Sequence, residues 1–418
     1  MKLKFLIIGA GDRGSNAYAK EIKENDLGEI IAVADPSKRR RKEFQKRYNI
    51  EDKNCFAKTT KALNKKIGDI AVIATPDKTH RDIAVRALNK GYDILLEKPM
   101  GTTTKECLDI IEAQKKNGNI LMLAHVLRYT PFYNKIKELI DKKEFGDLLK
   151  INYSEDIGNW HFAHSYVRGN WKNKESSGPI ILTKSCHDMD IINWYMGEEI
   201  ESIFSEGSLE FFKKENAPEN STERCINCPI KDCRYKAENI YLLNKKQGIN
   251  QLEKKISTED TLEARKSSLE KTDYGKCVWK CDNNVCDNQD VIIKFKNGNQ
   301  ACFNLNIGPS LEREIHLYFE YGKIIGFFHK GYIKKIEYGT EPHSEKREKI
   351  EIPYKSNHGG GDKALLENLI TTVKDNKINK NKSTAEESLI SHLMAFAAEK
   401  SRIENKTIDF KEYRENSK

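Results

Sequence analysis

An apolar run that breaks into spaced glycines constrains this chain more than any other feature. Leu3-Lys4-Phe5-Leu6-Ile7-Ile8 reads as a buried parallel strand and leads straight into Gly9-Ala10-Gly11-Asp12-Arg13-Gly14. From Ser15 the sequence takes on helix character. Strand, glycine turn and helix in this order form a dinucleotide phosphate seat. Gly9 allows the tight turn, Gly11 lets a pyrophosphate approach the backbone, and Gly14 lets the helix lie close to the strand. Free N–H groups and the positive dipole end at the helix start favour the phosphates. A second run, Glu29-Ile30-Ile31-Ala32-Val33-Ala34, ends in Asp35, whose carboxylate can accept two ribose hydroxyls.

The turn heads a series. Residues 69–74, 93–97 and 120–124 are three more buried strands, separated by helices predicted over Thr79–Lys90 (closed by Gly91) and Thr104–Asn117. Repeated βαβ units predict a doubly wound parallel sheet over residues 1–125, with ligands at the carboxyl ends of its strands. After His125 the pattern changes. Helices are expected at 133–142 and 187–196, a strand at 148–156, and alternating strands from about Ile203, at 291–295, 302–307, 315–320, 323–328 and 332–338. The predicted class is therefore α/β, an N-terminal Rossmann domain followed by an α+β domain over 126–418 with a largely antiparallel open-faced sheet. Ser383-Thr384-Ala385-Glu386 fits a capping box that opens a long helix to about Asn405. Residues 213–289, rich in Lys, Glu and Asn, read as an inserted loop subdomain.

With 38% hydrophobic and 32% charged residues, the 418-residue chain suits a soluble globular protein. No apolar run approaches the roughly 18 residues of a membrane span. The N-terminal run is a strand and not a signal peptide. No membrane partner and a cytoplasmic location are expected. The net charge of +9 raises nucleic acid as a partner. Its densest block, Lys38-Arg39-Arg40-Arg41-Lys42, reads as the solvated face of the helix after the second strand. No basic face with interleaved aromatics is present, so no nucleic-acid partner is expected.

Two strand tips carry unusual residues. The third strand leads into Thr75-Pro76-Asp77-Lys78-Thr79-His80, and the fourth into Glu97-Lys98-Pro99. A lysine at such a tip, beside a nicotinamide, can bond both a substrate hydroxyl and a catalytic partner, and Pro99 fixes the backbone that aims it. Gly9–Gly14, Asp35, Ala74-Thr75-Pro76 with His80, and Glu97-Lys98-Pro99 together resemble the glucose–fructose oxidoreductase, inositol dehydrogenase and MocA (Gfo/Idh/MocA) family. The resemblance covers nearly the whole chain in architecture and is most specific over residues 1–130 and 175–196. It implies an NAD(P) cofactor, a C-terminal open-faced sheet used for homodimer or homotetramer formation, and reversible oxidation of a sugar, amino-sugar or cyclitol hydroxyl. Expected cofactor contacts are Gly9, Ala10, Gly11, Asp12, Arg13, Gly14, Asp35, Thr75, Pro76, His80, Glu97 and Lys98.

The family's second motif looks like three glycines, a short apolar run, an aspartate, and a histidine four residues later. The matching stretch here is Ser177-Gly178-Pro179-Ile180-Ile181-Leu182-Thr183-Lys184-Ser185-Cys186-His187-Asp188. His187 matches the catalytic histidine, and an imidazole suits a step that sheds a proton near neutrality. Lys98 matches the motif lysine. Thr183 stands where the family has aspartate. It cannot be a general base at neutral pH, though its hydroxyl can hold substrate, and the adjacent Lys184 is expected to substitute in part. Asp188 and Asp190 either hold the imidazole tautomer or complement the helix dipole. Between the motifs, His161, His164, Tyr166, Arg168 and Trp171 are expected to line the substrate pocket, joined by Arg128 and Tyr129 beyond the fifth strand. His358 and Asp362 of His358-Gly359-Gly360-Gly361-Asp362 are further candidates, with a helix cap as the alternative reading. Asp35 favours NAD, because a carboxylate repels a 2′-phosphate. Ser37, Lys38 and Arg39 offset that in part and keep NADP open.

Six of the ten cysteines crowd together as Cys225-x2-Cys228-x4-Cys233 and Cys277-x3-Cys281-x4-Cys286. In a reducing compartment this spacing points to a structural zinc stitching a loop too polar to build its own core. Cys225, Cys228 and Cys233 are the expected ligands, with Cys277 or Cys281 completing the set and Cys286 spare. An iron–sulfur cluster is second, as the spacing does not match ferredoxin runs. Two other functions stay open. One is an NAD-dependent glycosidase acting by transient oxidation and elimination. The other is a non-enzymatic, redox-sensing nucleic-acid-binding protein.

Overall fold

The structure is a computed structural model that describes residues 2–243, 252–257, 259, 261–354, 357–375 and 384–417, apart from the side chains of Lys254, Asn357 and His358. The N-terminal strands β1 (Lys4–Ile8), β2 (Glu29–Ala34), β3 (Cys55–Phe56), β4 (Ile70–Ile73), β5 (Asp93–Leu96) and β6 (Leu121–Leu123) form one parallel sheet in the order β3-β2-β1-β4-β5-β6. Phe5 to Ile8 and Ile70 to Ile73 are fully buried, because helices cover both faces of such a sheet. The strand order reverses between β1 and β4, and that switch point is where an open α/β sheet leaves a crevice for ligands.

The second sheet comprises β7 (Leu148–Gly158), β8 (Ile200–Ser208), β9 (Asn288–Phe295), β10 (Gln300–Gly308), β11 (Glu312–Phe319), β12 (Gly322–Phe327), β13 (Tyr332–Tyr338), β14 (Glu345–Glu351) and β15 (Ile408–Asp409). They run in the order β14-β13-β12-β11-β7-β10-β9-β8-β15, antiparallel except for the β7–β10 pair. Alternate residues point inward, as Arg313, Ile315, Leu317 and Phe319 of β11 do. Helix Ala385–Glu404 lies against β8 and against helix Cys186–Met196. The opposite face is half open, with Ile292 of β9 47% exposed. No helix among the described residues is long and apolar enough to cross a membrane.

Several local expectations shift. The capping box is formed by Thr384 and Glu387, whose reciprocal bonds are both 3.1 Å, one residue beyond the pair read from sequence. Thr384 is the last extended residue, so it and not Ser383 faces the open N–H groups; Ser383 lies outside the described residues. Strand β14 (Glu345-Lys-Arg-Glu-Lys-Ile-Glu351) carries no apolar alternation, so its sequence hides it; its charges suit an edge strand. The insertion does build a small core of its own. Cys225, Ala237, Tyr241, Leu252, Ile256 and Leu269 are buried together, against the expectation of a loop too polar for one.

Candidate active site

At the carboxyl end of β1 the three glycines differ in what surrounds them. Gly9 has φ +96°, and a Cβ there would lie 2.2 Å from the Ala74 carbonyl oxygen. A Cβ at Gly14 would lie 1.9 Å from the Gly9 oxygen, whereas one at Gly11 would meet nothing within 4 Å. Gly9 and Gly14 are thus held by packing, and Gly11 faces open space. The helix beyond begins as a wide turn over Arg13–Tyr18, with Ala19 N–H bonded to the Gly14 carbonyl. Asp35 is buried and closes the turn from β2. Its Oδ2 accepts from Ala10 N–H at 2.9 Å and its Oδ1 from Ser37 N–H at 2.8 Å. Each carboxylate oxygen retains a second acceptor direction. Ser37 caps helix Lys38–Tyr48, Arg39 pairs with Glu43, and Arg41 bonds the Asp35 and Pro36 carbonyls. Arg40 alone of the basic run comes near the Asp35 carboxylate, at 3.9 Å.

Arg13 turns inward. Its Nε donates to Glu97 Oε1 at 2.5 Å, its two terminal nitrogens reach Asp362 at 2.6 and 3.1 Å, and one of them reaches the Tyr18 hydroxyl at 2.7 Å. Tyr18 also donates to Glu97. Burial alone would raise the Glu97 carboxyl, but Arg13 beside it and the Tyr18 bond hold it below the usual carboxylate value. Asp362, read from sequence as a hydroxyl ligand or a cap, is instead the Arg13 counter-ion at the start of helix Gly361–Asp375. Asp12 faces outward to Lys255 of the insertion at 3.2 Å. His80 is fully buried, its nitrogens 2.7 Å from the Pro99 carbonyl and 2.9 Å from that of Thr75, so it ties two strand-tip loops together. Pro76 leads into the turn Asp77–Thr79, whose Thr79 hydroxyl bonds that of Thr75.

The Lys98–Pro99 peptide is cis, and Lys98 Nζ donates to the Thr183 carbonyl at 2.7 Å. The Thr183 hydroxyl donates backward to Pro179 O at 3.3 Å. Thr183 therefore meets Lys98 through its backbone, and the hydroxyl, read as a substrate holder, closes a helical turn. His187 lies one turn on, near the start of helix Cys186–Met196, its ring 5.7 Å from that of His125. Lys184 is paired with a carboxylate. Its ammonium sits 2.7 Å from Glu155 of β7, and burial pulls its pKa below the ordinary value although Glu155 opposes this. Arg313 joins Glu155 (2.6 Å) to Asp188 (2.7 Å). Burial would raise Glu155, but Arg313 and Lys184 bring it down to about 2. Asp188 is thus tied to the sheet. Asp190 instead faces His125.

The loop after β7 divides. His161 remains beside Lys184, and burial, with help from Lys184, pulls its pKa down to about 3, so it is a neutral ring. Trp171 Nε1 donates to Asp77 at 2.8 Å, closing the loop onto the β4 tip. Tyr166 is buried between His161 and Trp171. His164 and Arg168 turn away. His164 stacks on Tyr274 and bonds the Tyr241 hydroxyl. Arg168, 2% exposed, donates to the Lys276 and Tyr235 carbonyls and to Cys225 Sγ. Both anchor the insertion, and Arg168 lines a small cavity within it. Arg128 and Tyr129 are also corrected. Arg128 is clamped on Asp190 at 2.6 and 2.8 Å, and Tyr129 is packed in the core with its hydroxyl on Met122. The His358 side chain lies outside the description.

In the insertion, Cys225, Cys228, Cys233 and Cys277 line one small cavity of about 10 Å³. Cys281 bonds the Cys277 carbonyl outside that lining, and Cys286 lies near Arg402 and Glu399. Sequence reasoning missed Glu155, Arg313, His125 and His392, which stand in no local motif.

Residues 3–125 match the oxidoreductase family with an NAD-binding Rossmann fold, and residues 137–410 match the same family's C-terminal alpha/beta domain. The Bacillus subtilis protein YteT is 27% identical over 321 residues, 72% of either chain. The inositol 2-dehydrogenase of Salmonella typhimurium is 28% identical over 204 residues, 49% of this chain and 57% of that protein. Levoglucosan dehydrogenase, solved with NADH and levoglucosan, superposes with a TM-score of 0.73 at 16% identity, covering 98% of this chain and 100% of that one. The scyllo-inositol dehydrogenase of Lactobacillus casei gives 0.66 at 15% identity, covering 98% of each chain. Two matched domains in the expected order, with a glycine turn, a Lys98 strand tip and a His187 helix meeting at one seam, place the chain in the Gfo/Idh/MocA family of NAD(P)-dependent oxidoreductases.

Proposed function

We propose that this protein oxidises a ring hydroxyl of a cyclitol, sugar or amino sugar, with Lys98 and His187 acting on the hydroxyl. The observation that carries this reading is the 2.7 Å bond from Lys98 Nζ to the Thr183 carbonyl, which brings the β5 tip against the segment that opens the His187 helix. NAD fits the chain: the open space before Gly11 suits a pyrophosphate, and Asp35 retains acceptor capacity for a ribose. When bound, it takes the hydride from the carbon that bears the hydroxyl. Lys98 donates a hydrogen bond to the substrate oxygen, and His187 takes the hydroxyl proton as the C=O bond forms. His161 and Trp171, at the mouth, offer a ring nitrogen and an aromatic face to a sugar ring. Asp35 favours NAD over NADP, with Arg40 as the nearest cation to offset it. Relatives named inositol 2-dehydrogenase support the substrate class. Residues 1–125 would bind nucleotide and residues 126–418 substrate, and the half-open sheet face would form a homodimer or homotetramer.

The test is appearance of NADH when the protein meets NAD+ and a panel of cyclitols, sugars and amino sugars. His187→Ala should abolish it, and unchanged turnover in that variant would refute the assignment. Cleavage of a glycoside with no net NADH would replace oxidation by the elimination route. In the insertion, Cys225, Cys228, Cys233 and Cys277 would hold a structural zinc, supported by their common cavity. Loss of one equivalent of zinc per chain in Cys225→Ser/Cys228→Ser is the expected result.

A further inference from the structure

The insertion reaches back across the seam to the glycine turn. It is anchored on the other side, where His164 bonds the Tyr241 hydroxyl and Arg168 the Tyr235 and Lys276 carbonyls. From that base Lys255 Nζ extends to Asp12 Oδ2 at 3.2 Å. Local sequence explains why this lysine is presented. In Leu252-Glu253-Lys254-Lys255-Ile256, Leu252 and Ile256 stand four residues apart, and both are buried in the insertion's small core with Tyr241 and Leu269. Lys255 N–H bonds the Leu252 carbonyl at 2.9 Å, and the Ser268 hydroxyl donates to the Ile256 carbonyl. Two apolar anchors and a closed turn thus hold Lys255 outward from a packed base, its side chain 42% exposed.

Asp12 is the unexpected residue at the other end. It follows Gly11, the glycine that faces open space, in a turn suited to a pyrophosphate. Asn16 Nδ2 donates to its Oδ1 at 3.0 Å, and Lys255 holds its Oδ2. Burial would raise this carboxyl, but Lys255 and Asn16 keep it below its ordinary value, so it is ionised near neutrality. A carboxylate beside a seat for a dianion repels that dianion unless a cation offsets it. Arg13, the turn's own cation, is engaged by Glu97 and Asp362. Lys255 stands free of such a clamp. Asp12 is its one ion-pair partner among the described residues, and an ammonium carries three donors. Its charge also reaches the loop after β7. Burial is the main cause that pulls His161 and His164 down to about 3, and Lys255 adds to the drop in both. The ammonium therefore stands between the glycine turn and that loop.

We propose that Lys255 is a cofactor-binding residue supplied by the insertion: its ammonium offsets Asp12 and donates to the pyrophosphate of the bound dinucleotide. This rests on the reading that the glycine turn holds NAD. It gives the insertion a part in the chemistry of the cleft, because the core around Cys225 is the base that presents Lys255 to the nucleotide half.

Calorimetry of NAD+ and ADP binding to the full-length protein at low ionic strength tests it. Lys255→Gln should weaken both ligands about 5- to 20-fold, because it removes a charge-assisted bond to a phosphate. Lys255→Arg, which keeps the charge, should recover most of that loss. The difference between wild type and Lys255→Gln should shrink as salt is raised, since a partly exposed ion pair is screened. The melting point of Lys255→Gln should stay within about 2 °C of wild type, because an exposed pair contributes little stability. NAD+ bound equally well by wild type and Lys255→Gln overturns the proposal and leaves the cofactor reading intact. A loss for NAD+ that ADP does not share, or that Lys255→Arg does not recover at all, also overturns it. Failure of the wild-type protein to bind NAD+ overturns the cofactor reading itself.

Discussion

Two arginine clusters lie along the seam between the nucleotide sheet and the rest of the chain, and the main difference between them is water. Arg13 meets Glu97 and Asp362 at the mouth, where its side chain is 27% exposed. Arg128 meets Asp190 and, at 3.3 Å, Glu387 in the floor, where its own side chain is 1% exposed. The chemical pairing is the same. At the mouth, solvent screens a lost partner and the freed group can find another. In the floor, a lost partner leaves a charge with nowhere to go. The mouth can therefore serve cofactor and substrate, while the floor holds the seam shut behind Lys98 and His187.

The contrast can be broken or sharpened by substitution. The largest effect is expected at the chemistry itself: His187→Ala should lower kcat/KM about 10²–10⁴-fold, or ~3–5 kcal/mol, in an NADH-formation assay. Urea unfolding should then show a change below ~2 kcal/mol; a loss larger than the catalytic one would make His187 a floor residue. Arg128→Leu reverses the pattern. It strands Asp190 beside His125 and should cost about 3–5 kcal/mol of stability by the same urea measurement. An intact midpoint would mean the floor is wetter than it looks.

Acid sharpens the comparison further. Burial would raise Asp190, but Arg128 and His125 hold it down to about 2. A carboxyl lowered in the folded state adds stability that is full above its ordinary value and is lost as pH falls toward the folded one. Between about pH 4 and 2 the protein should thus lose ~2.5 kcal/mol through this group, at 1.36 kcal/mol per unit. Asp190→Asn should flatten that limb of a pH-dependent unfolding series. The smallest effect belongs to the mouth. Asp362→Asn should cost under ~1 kcal/mol in stability, given the partial exposure of the Arg13 side chain it leaves behind, and shift NAD affinity by a few-fold in calorimetry. A loss as large as that of Arg128→Leu would erase the distinction between the clusters.

What could be read from sequence was whatever short-range spacing encodes. Gly9, Gly11 and Gly14 act through the backbone of one turn, so their spacing announced the nucleotide seat. Period-2 patterning announced β11 and β13, and period 3.6 announced helix Thr104–Asn117. Lys98 and His187 stood in recognisable local motifs. Strand β14 stayed hidden because an edge strand whose only apolar residue is Ile350 has no alternation to read. Arg128, His164 and Arg168 were misplaced for another reason. Polar side chains beside a cleft look alike in sequence whether they face ligand or a buried partner, and that partner lay far along the chain: Asp190, Tyr241 and Lys276. Tertiary structure alone decided that Asp362 answers Arg13 and that Thr183 meets Lys98 through its carbonyl. It alone brought His125, Cys186 and His392 together. Such pairings carry no local period, because loop closure costs little more for a distant partner than for a near one. The packed core therefore chose them, whereas sequence spacing chose the turn.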